Sequence, residues 1–185
     1  VLSNYVPMLD HWLFGAGQLV FAAAVLASFA GRRLVPGGER RAPVFDLPEA
    51  AETGLRCAAL CLLLAGTVFG ISWWTLPAGL EVATHYELMM WGVGHVLQLT
   101  CSVAMVSVWI LLLHSALGRS PLSGPAARIL FLAWLVPWLS ALLFAGAGAA
   151  SSGYREGFTA LMRWSIFPIV SIFLAFCFRL LYQEW

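Results

Sequence analysis

Lysine is absent from this chain of 185 residues, and charged residues make up only 10% of it. The ten basic residues, all arginine, nearly balance the nine acidic ones, which gives a formal net charge of +1. A soluble domain usually carries about 25% charged residues, so this composition excludes an ordinary soluble protein. It equally lacks the strongly basic surface that attracts nucleic acid, and we expect no DNA or RNA partner.

The short motifs of soluble enzymes are also missing. The sequence has no CxxC pair, no HExxH zinc motif, no GxSxG nucleophile turn and no phosphate-binding loop. The cysteines fall inside apolar runs, which predicts that they pack in the interior rather than bind a metal; they are Cys57, Cys61, Cys101 and Cys177. Catalysis through any of these motifs is therefore not supported.

Long apolar runs are what the chain does have. Hydrophobic residues make up 61% of it, and its mean hydropathy is +0.86. A helix needs about 20 apolar residues to cross a bilayer. The runs of this kind lie at 12–31, 55–74, 86–117, 127–147 and 158–181, joined after the first by a cytoplasmic connector at 32–54. The sequence thus predicts an all-α polytopic bundle of five transmembrane helices, with a kink at Pro137 and with Pro168 in the outer half of the last helix.

Arginine predicts how the helices are oriented, because short cytoplasmic loops are enriched in basic residues. Eight arginines flank the connector, the loop between the third and fourth spans, and the C-terminal end; they are Arg32, Arg33, Arg40, Arg41, Arg56, Arg119, Arg128 and Arg179. The opposite side has Arg155 and Arg163, accompanied by acidic residues. We therefore expect the N-terminus outside and the C-terminus inside.

A polar stripe in the third span contains the best candidate site residues. Glu87, Trp91, His95 and Gln98 are spaced by four, four and three residues, which places them on one face of a helix. Ionisable groups at membrane depth are costly and normally face a protein interior or a cavity. His95 is therefore predicted to be a ligand to a cofactor or metal, supported by the other three residues.

Two alternatives stay open for this stripe. Gly92 and Gly94 leave room beside His95 for a large planar group, or they form a notch in which another helix packs. In the second case His95 only hydrogen-bonds to a neighbouring helix. Arg163, on the side with few basic residues, either extends to the outer interface or pairs with Glu87 or with an anion such as a haem propionate.

The segment WGVGH, from Trp91 to His95, resembles the sixth helix of haem-copper oxidase subunit I, in which such a segment delivers the first histidine ligand to copper. By topology the whole chain resembles helices four to eight of that family. The resemblance implies that His95 binds haem or copper. The chain departs from the family at 145–158, which has no histidine where the family has an adjacent pair, and at Leu99, where many oxidases have a tyrosine.

These observations lead to three functional hypotheses. The first is a membrane subunit or segment of a respiratory redox complex, with haem or copper held partly by other membrane subunits. The second is a non-catalytic subunit of a respiratory or photosynthetic assembly. The third, a small transporter, ranks last because the spans carry no carboxylate at mid-membrane. The expected location is the inner membrane of a bacterium.

Overall fold

The computed structural model describes residues 11–34 and 47–185, without the side chains of residue 22 and residues 25–34. Every regular element in these ranges is helical, so the predicted all-α class is confirmed. The elements are α1 (Trp12–Leu34), α2 (Glu49–Thr75), α3 (Val82–Leu117), α4 (Gly124–Trp138), α5 (Ala141–Gly146), α6 (Ser152–Leu161), a π-helical segment (Met162–Ile166) and α7 (Phe167–Gln183).

The chain divides into two compact units, residues 1–46 and residues 47–185. In the first unit, α1 is helical throughout the predicted first span and continues to Leu34. Residues 35–46 of the predicted connector lie outside the described residues. The second unit holds the other helices and every site discussed below.

Four helical stretches of the second unit are long and apolar enough to cross a membrane; they are Glu49–Thr75, Val82–Leu117, Gly124–Gly146 and Ser152–Gln183. Many large apolar side chains on them point outward, such as Trp74, which is 88% exposed, and Leu143, which is 75% exposed. Water would not tolerate apolar surface on this scale, whereas lipid does. The chain is an integral membrane protein.

Contacts at both ends show that these four spans alternate in direction. At one end, Arg119 after α3 lies 2.5 Å from Glu184 after α7, and Arg128 of α4 pairs with Glu49 of α2. We call this the arginine-rich end, because Arg56 and Arg179 also lie there. At the opposite end the spans α2 and α3 are joined by a short loop, as are α5 and α6. Which end faces the cytoplasm stays a prediction.

Three predicted boundaries were wrong by up to six residues. α2 begins at Glu49 rather than 55, so the predicted connector ends earlier and its last residues form the first turns of α2. α3 begins at Val82 rather than 86, and the last span begins at Ser152 rather than 158. The polar first turns of these helices lie beyond the apolar runs, so a span defined by hydropathy starts later than the helix that contains it.

Proline interrupts the last two spans. Pro137 lacks an N–H and ends α4 at Trp138, as predicted, and α5 resumes at Ala141. In the last span, the π segment precedes Pro168. A proline ring clashes with the carbonyl group four residues earlier, and a wider π turn relieves that crowding. The two interruptions meet, because the Trp138 Nε1–H donates a hydrogen bond to Ser165 Oγ.

A glycine brings α2, α3 and α4 together in the core. A Cβ atom at Gly54 would lie 2.5 Å from the ring of Phe131 and would overlap Ser107 Oγ. Ser107 is buried, and its hydroxyl donates to Val103 O at 2.7 Å within α3. Only a residue without a side chain therefore permits the three helices to approach this closely.

Candidate functional site

The predicted stripe on α3 runs from the surface into the interior and out again. Glu87 is exposed and Trp91 is half-buried, whereas His95 is only 1% exposed. Gln98 is exposed again and so does not share the interior with His95.

The imidazole of His95 is held in a defined orientation. Its Nδ1 lies 2.7 Å from the carbonyl oxygen of Trp91 in the preceding turn. A carbonyl oxygen only accepts hydrogen bonds, so a neutral imidazole here has its proton on Nδ1 and its lone pair on Nε2. The ring also lies 5.1 Å from the Trp91 ring and 6.2 Å from the Phe158 ring, measured between centroids.

Gly92 forms the notch through which α6 contacts α3. A Cβ atom at Gly92 would lie 2.7 Å from both the Phe158 ring and the Tyr154 hydroxyl oxygen. The absence of a side chain permits the Gly92 N–H to donate a hydrogen bond to Tyr154 Oη at 2.9 Å. Tyr154 Oη also shares a hydrogen bond of 2.9 Å with Ser72 Oγ of α2. One buried hydroxyl thus links α2, α3 and α6.

Tyr154, Phe158 and Ser72 were not predicted as site residues. Tyr154 and Phe158 are fully buried, and their rings lie 5.0 Å apart. Ser151 lies three residues before Tyr154, and Phe158 follows Tyr154 by four residues. This pattern predicts a helix start followed by a buried face. Ser151 does cap α6, since its side chain accepts a hydrogen bond from the Tyr154 N–H. We call Trp91, Gly92, His95, Tyr154 and Phe158 the α3–α6 cluster.

A cation covers this cluster on the side away from the arginine-rich end. Arg155 lies 3.7 Å from Glu87, and its guanidinium carbon is 5.8 Å from the centre of the Trp91 ring. Glu87 therefore pairs with Arg155 and not with Arg163, whose pairing with Glu87 was one of the alternatives left open by the sequence. Arg163 lies in the π segment and lines a surface cavity of about 320 Å³ together with Arg155 and Trp164.

The described part of the chain provides one oriented histidine and no complete metal site. Within it, no three residues among histidine, cysteine, aspartate and glutamate lie together as a group. Cys57 and Cys61 are both buried in α2, consistent with packing. His85 lies near Trp73 and Tyr86 rather than near His95. The donor set fits one coordination position, at His95.

The arrangement around His95 has two chemical uses. A buried imidazole with its lone pair on Nε2 and its Nδ1–H held by a carbonyl is how many metal-binding histidines are oriented. The same imidazole accepts a hydrogen bond equally well and then serves packing alone. Phe158 covers the ring on the α6 side, so a ligand that approaches from there must displace it.

No family model matches this chain, and no curated protein or solved structure is significantly similar to it. The likeness of the WGVGH segment to the haem-copper oxidases therefore stays a prediction, as do the functions that it implies.

Proposed function

We propose that the chain is a membrane subunit or segment of a respiratory oxidoreductase complex, in which the imidazole of His95 would bind a haem or a copper ion. The observation that carries the proposal is the orientation of His95, buried at 1% exposure with Nδ1 on the Trp91 carbonyl. A carbonyl partner fixes the imidazole so that Nε2 is the ligand atom, and it raises the basicity of that nitrogen.

The part played by this chain's own residues follows from their contacts. Trp91 orients the imidazole through its carbonyl oxygen, and its own ring lies beside the imidazole at an interplanar angle of 39°. Arg155 and Glu87 close the outer side of the cluster. The bound group would supply electron transfer or oxygen chemistry, and the remaining ligands would come from other membrane subunits or from a further part of the protein. The location that goes with this function is the bacterial inner membrane.

The deciding experiment is an optical spectrum of the protein purified with its complex from native membranes, combined with elemental analysis for iron and copper. We expect a haem Soret band or stoichiometric copper in the unmodified protein and its loss in His95→Ala. The matched control is His85→Ala, at a histidine of the same helix that lies away from the cluster. A complex without haem, iron or copper rules the proposal out.

A second function, a non-catalytic subunit of a membrane assembly, is favoured by the contact of Gly92 with Phe158 and Tyr154. On this alternative His95 fills space beside the notch. It predicts that His95→Ala leaves the spectrum and the activity of the assembly unchanged, whereas deletion of the whole chain disturbs assembly. The two functions therefore differ in the outcome of a single substitution.

A further inference from the structure

A groove runs between α2 and α4 and starts at the arginine-rich end. Its volume is about 280 Å³. Eight residues line it; these are Arg56 and Arg128, the apolar residues Leu60, Phe131, Leu132 and Leu135, and also Thr53 and Cys57. Leu60 and Leu132 are 53% and 57% exposed, so the groove opens onto the surface that faces lipid.

The groove has the layering of a membrane leaflet. α2 and α4 both begin at the arginine-rich end, so they run in the same direction. Arg128 lies four residues into α4, or about 6 Å along its axis, and Leu135 lies about 10 Å deeper. The arginines therefore lie at the level of lipid headgroups and the leucines at the level of acyl chains.

The charges at the start of the groove come in two signs. Arg56 Nη2 lies 2.6 Å from Glu52, and Arg128 pairs with Glu49. Both guanidinium groups are largely exposed, at 76% and 63%. Exposed ion pairs of this kind are weak and exchange partners easily. A guanidinium carries five N–H donors, and one carboxylate contact leaves donors for a phosphate.

From these contacts we propose that the groove binds one phospholipid with a zwitterionic ethanolamine headgroup. The phosphate contacts Arg56 and Arg128, the ammonium group contacts Glu49 and Glu52, and one acyl chain lies in the groove. Phosphatidylglycerol, which is anionic, lacks the ammonium group and would place its negative charge beside the two carboxylates. A choline headgroup has no N–H to donate to them. Of these headgroups, ethanolamine alone combines the phosphate with an ammonium group that donates hydrogen bonds to carboxylates.

The test is native mass spectrometry of the full chain in detergent, titrated with phosphatidylethanolamine, phosphatidylglycerol or phosphatidylcholine of identical acyl chains. We expect phosphatidylethanolamine to bind about tenfold more tightly than the other two, a difference of about 1.4 kcal/mol in binding free energy. Equal binding of the three lipids, or tighter binding of phosphatidylglycerol, overturns the proposal.

Substitutions locate the bound lipid. Arg128→Gln is expected to weaken phosphatidylethanolamine binding by about tenfold, whereas Arg163→Gln, at the cavity on the opposite end, leaves it unchanged. Leu132→Trp fills the groove and is expected to abolish binding. Its control is Ile129→Trp, at a residue of α4 that is 68% exposed and does not line the groove. If Arg128→Gln and Leu132→Trp both bind phosphatidylethanolamine as the unmodified chain does, the groove is not the site.

Discussion

The two ends of the second unit are built differently. At the α3–α6 cluster, a glycine lets an aromatic helix approach so closely that Tyr154 reaches the backbone of α3. At the arginine-rich end, a groove between α2 and α4 is open to lipid. The cluster is mostly buried, whereas the groove is accessible and has exposed ion pairs at its start.

The difference matters because packing in a membrane receives little help from the hydrophobic effect. Lipid tails are as apolar as leucine, so close contact and buried hydrogen bonds hold the spans together. The cluster has both, and we expect substitutions there to destabilise the protein. The groove borders one buried hydrogen bond, from Cys57 Sγ to the Phe131 carbonyl oxygen at 3.7 Å, but its exposed leucines lie outside the packed core. Substitutions of those leucines should alter binding rather than stability.

Gly92→Ala should have the largest effect. The new Cβ atom would meet Phe158 and Tyr154 Oη at 2.7 Å and would force α6 away from α3. We expect a loss of about 1–3 kcal/mol, the usual range for overpacking, seen as a lower Tm in detergent. The control is Gly70→Ala, where nothing lies within 4 Å. Equal Tm values for the two variants would contradict the close contact at Gly92.

Tyr154→Phe should have the next largest effect. It keeps the ring but removes the hydroxyl that bonds Gly92 and Ser72, and it leaves buried polar groups without that partner. The expected loss is about 1–2 kcal/mol, measured by thermal unfolding. Tyr182→Phe is the matched control, since Tyr182 is 85% exposed. A Tm that does not change in Tyr154→Phe would mean that the hydroxyl does not link the three helices.

Arg155→Gln should cost less, although it touches the same cluster. The ion pair with Glu87 is 3.7 Å long and both side chains are about half exposed, so we expect a loss of about 0–1 kcal/mol that diminishes further in high salt. Unfolding at low and high ionic strength measures it. Arg163→Gln serves as the comparison. A larger loss of stability in Arg163→Gln than in Arg155→Gln would favour the alternative in which Glu87 pairs with Arg163.

Leu132→Ala should have the smallest effect on stability. Its side chain is 57% exposed on the wall of the groove. In the variant, lipid fills the space that the leucine side chain leaves. We expect a change within about 0.5 kcal/mol, typical of exposed positions. A loss as large as that of Gly92→Ala would show that the groove is part of the packed core.

Much of the fold follows from the sequence, because long apolar runs have one stable solution in lipid. The helical class, the break at Pro137 and the end of α3 before Gly118 were all predicted. The starts of α2 and α6 were not, since both lie within polar sequence; at α6 the side chain of Ser151 caps the helix. A hydropathy pattern predicts which residues lie in lipid, but it does not predict where a capping residue starts the helix.

The candidate site was predicted only in part. The helical spacing placed Trp91 and His95 side by side, and the structure brings their rings within 5.1 Å. The contacts from α2 and α6 were missed, because Ser72 and Tyr154 lie 82 residues apart in sequence. Only the packing of distant spans brings such residues together, and periodicity within one helix contains no information about it.

The π segment has a consequence for the length of the last span. Along the last span, the buried residues Ile166, Phe173 and Leu180 recur every seven residues, but the buried residue Phe158 precedes Ile166 by eight. In an ideal α-helix, a separation of eight residues would place Phe158 about 80° around the helix axis from Ile166. The wide turn accommodates the surplus residue without rotation. Removal of one residue between 162 and 165 should therefore yield an uninterrupted helix with the same inward face, so that this span tolerates two lengths.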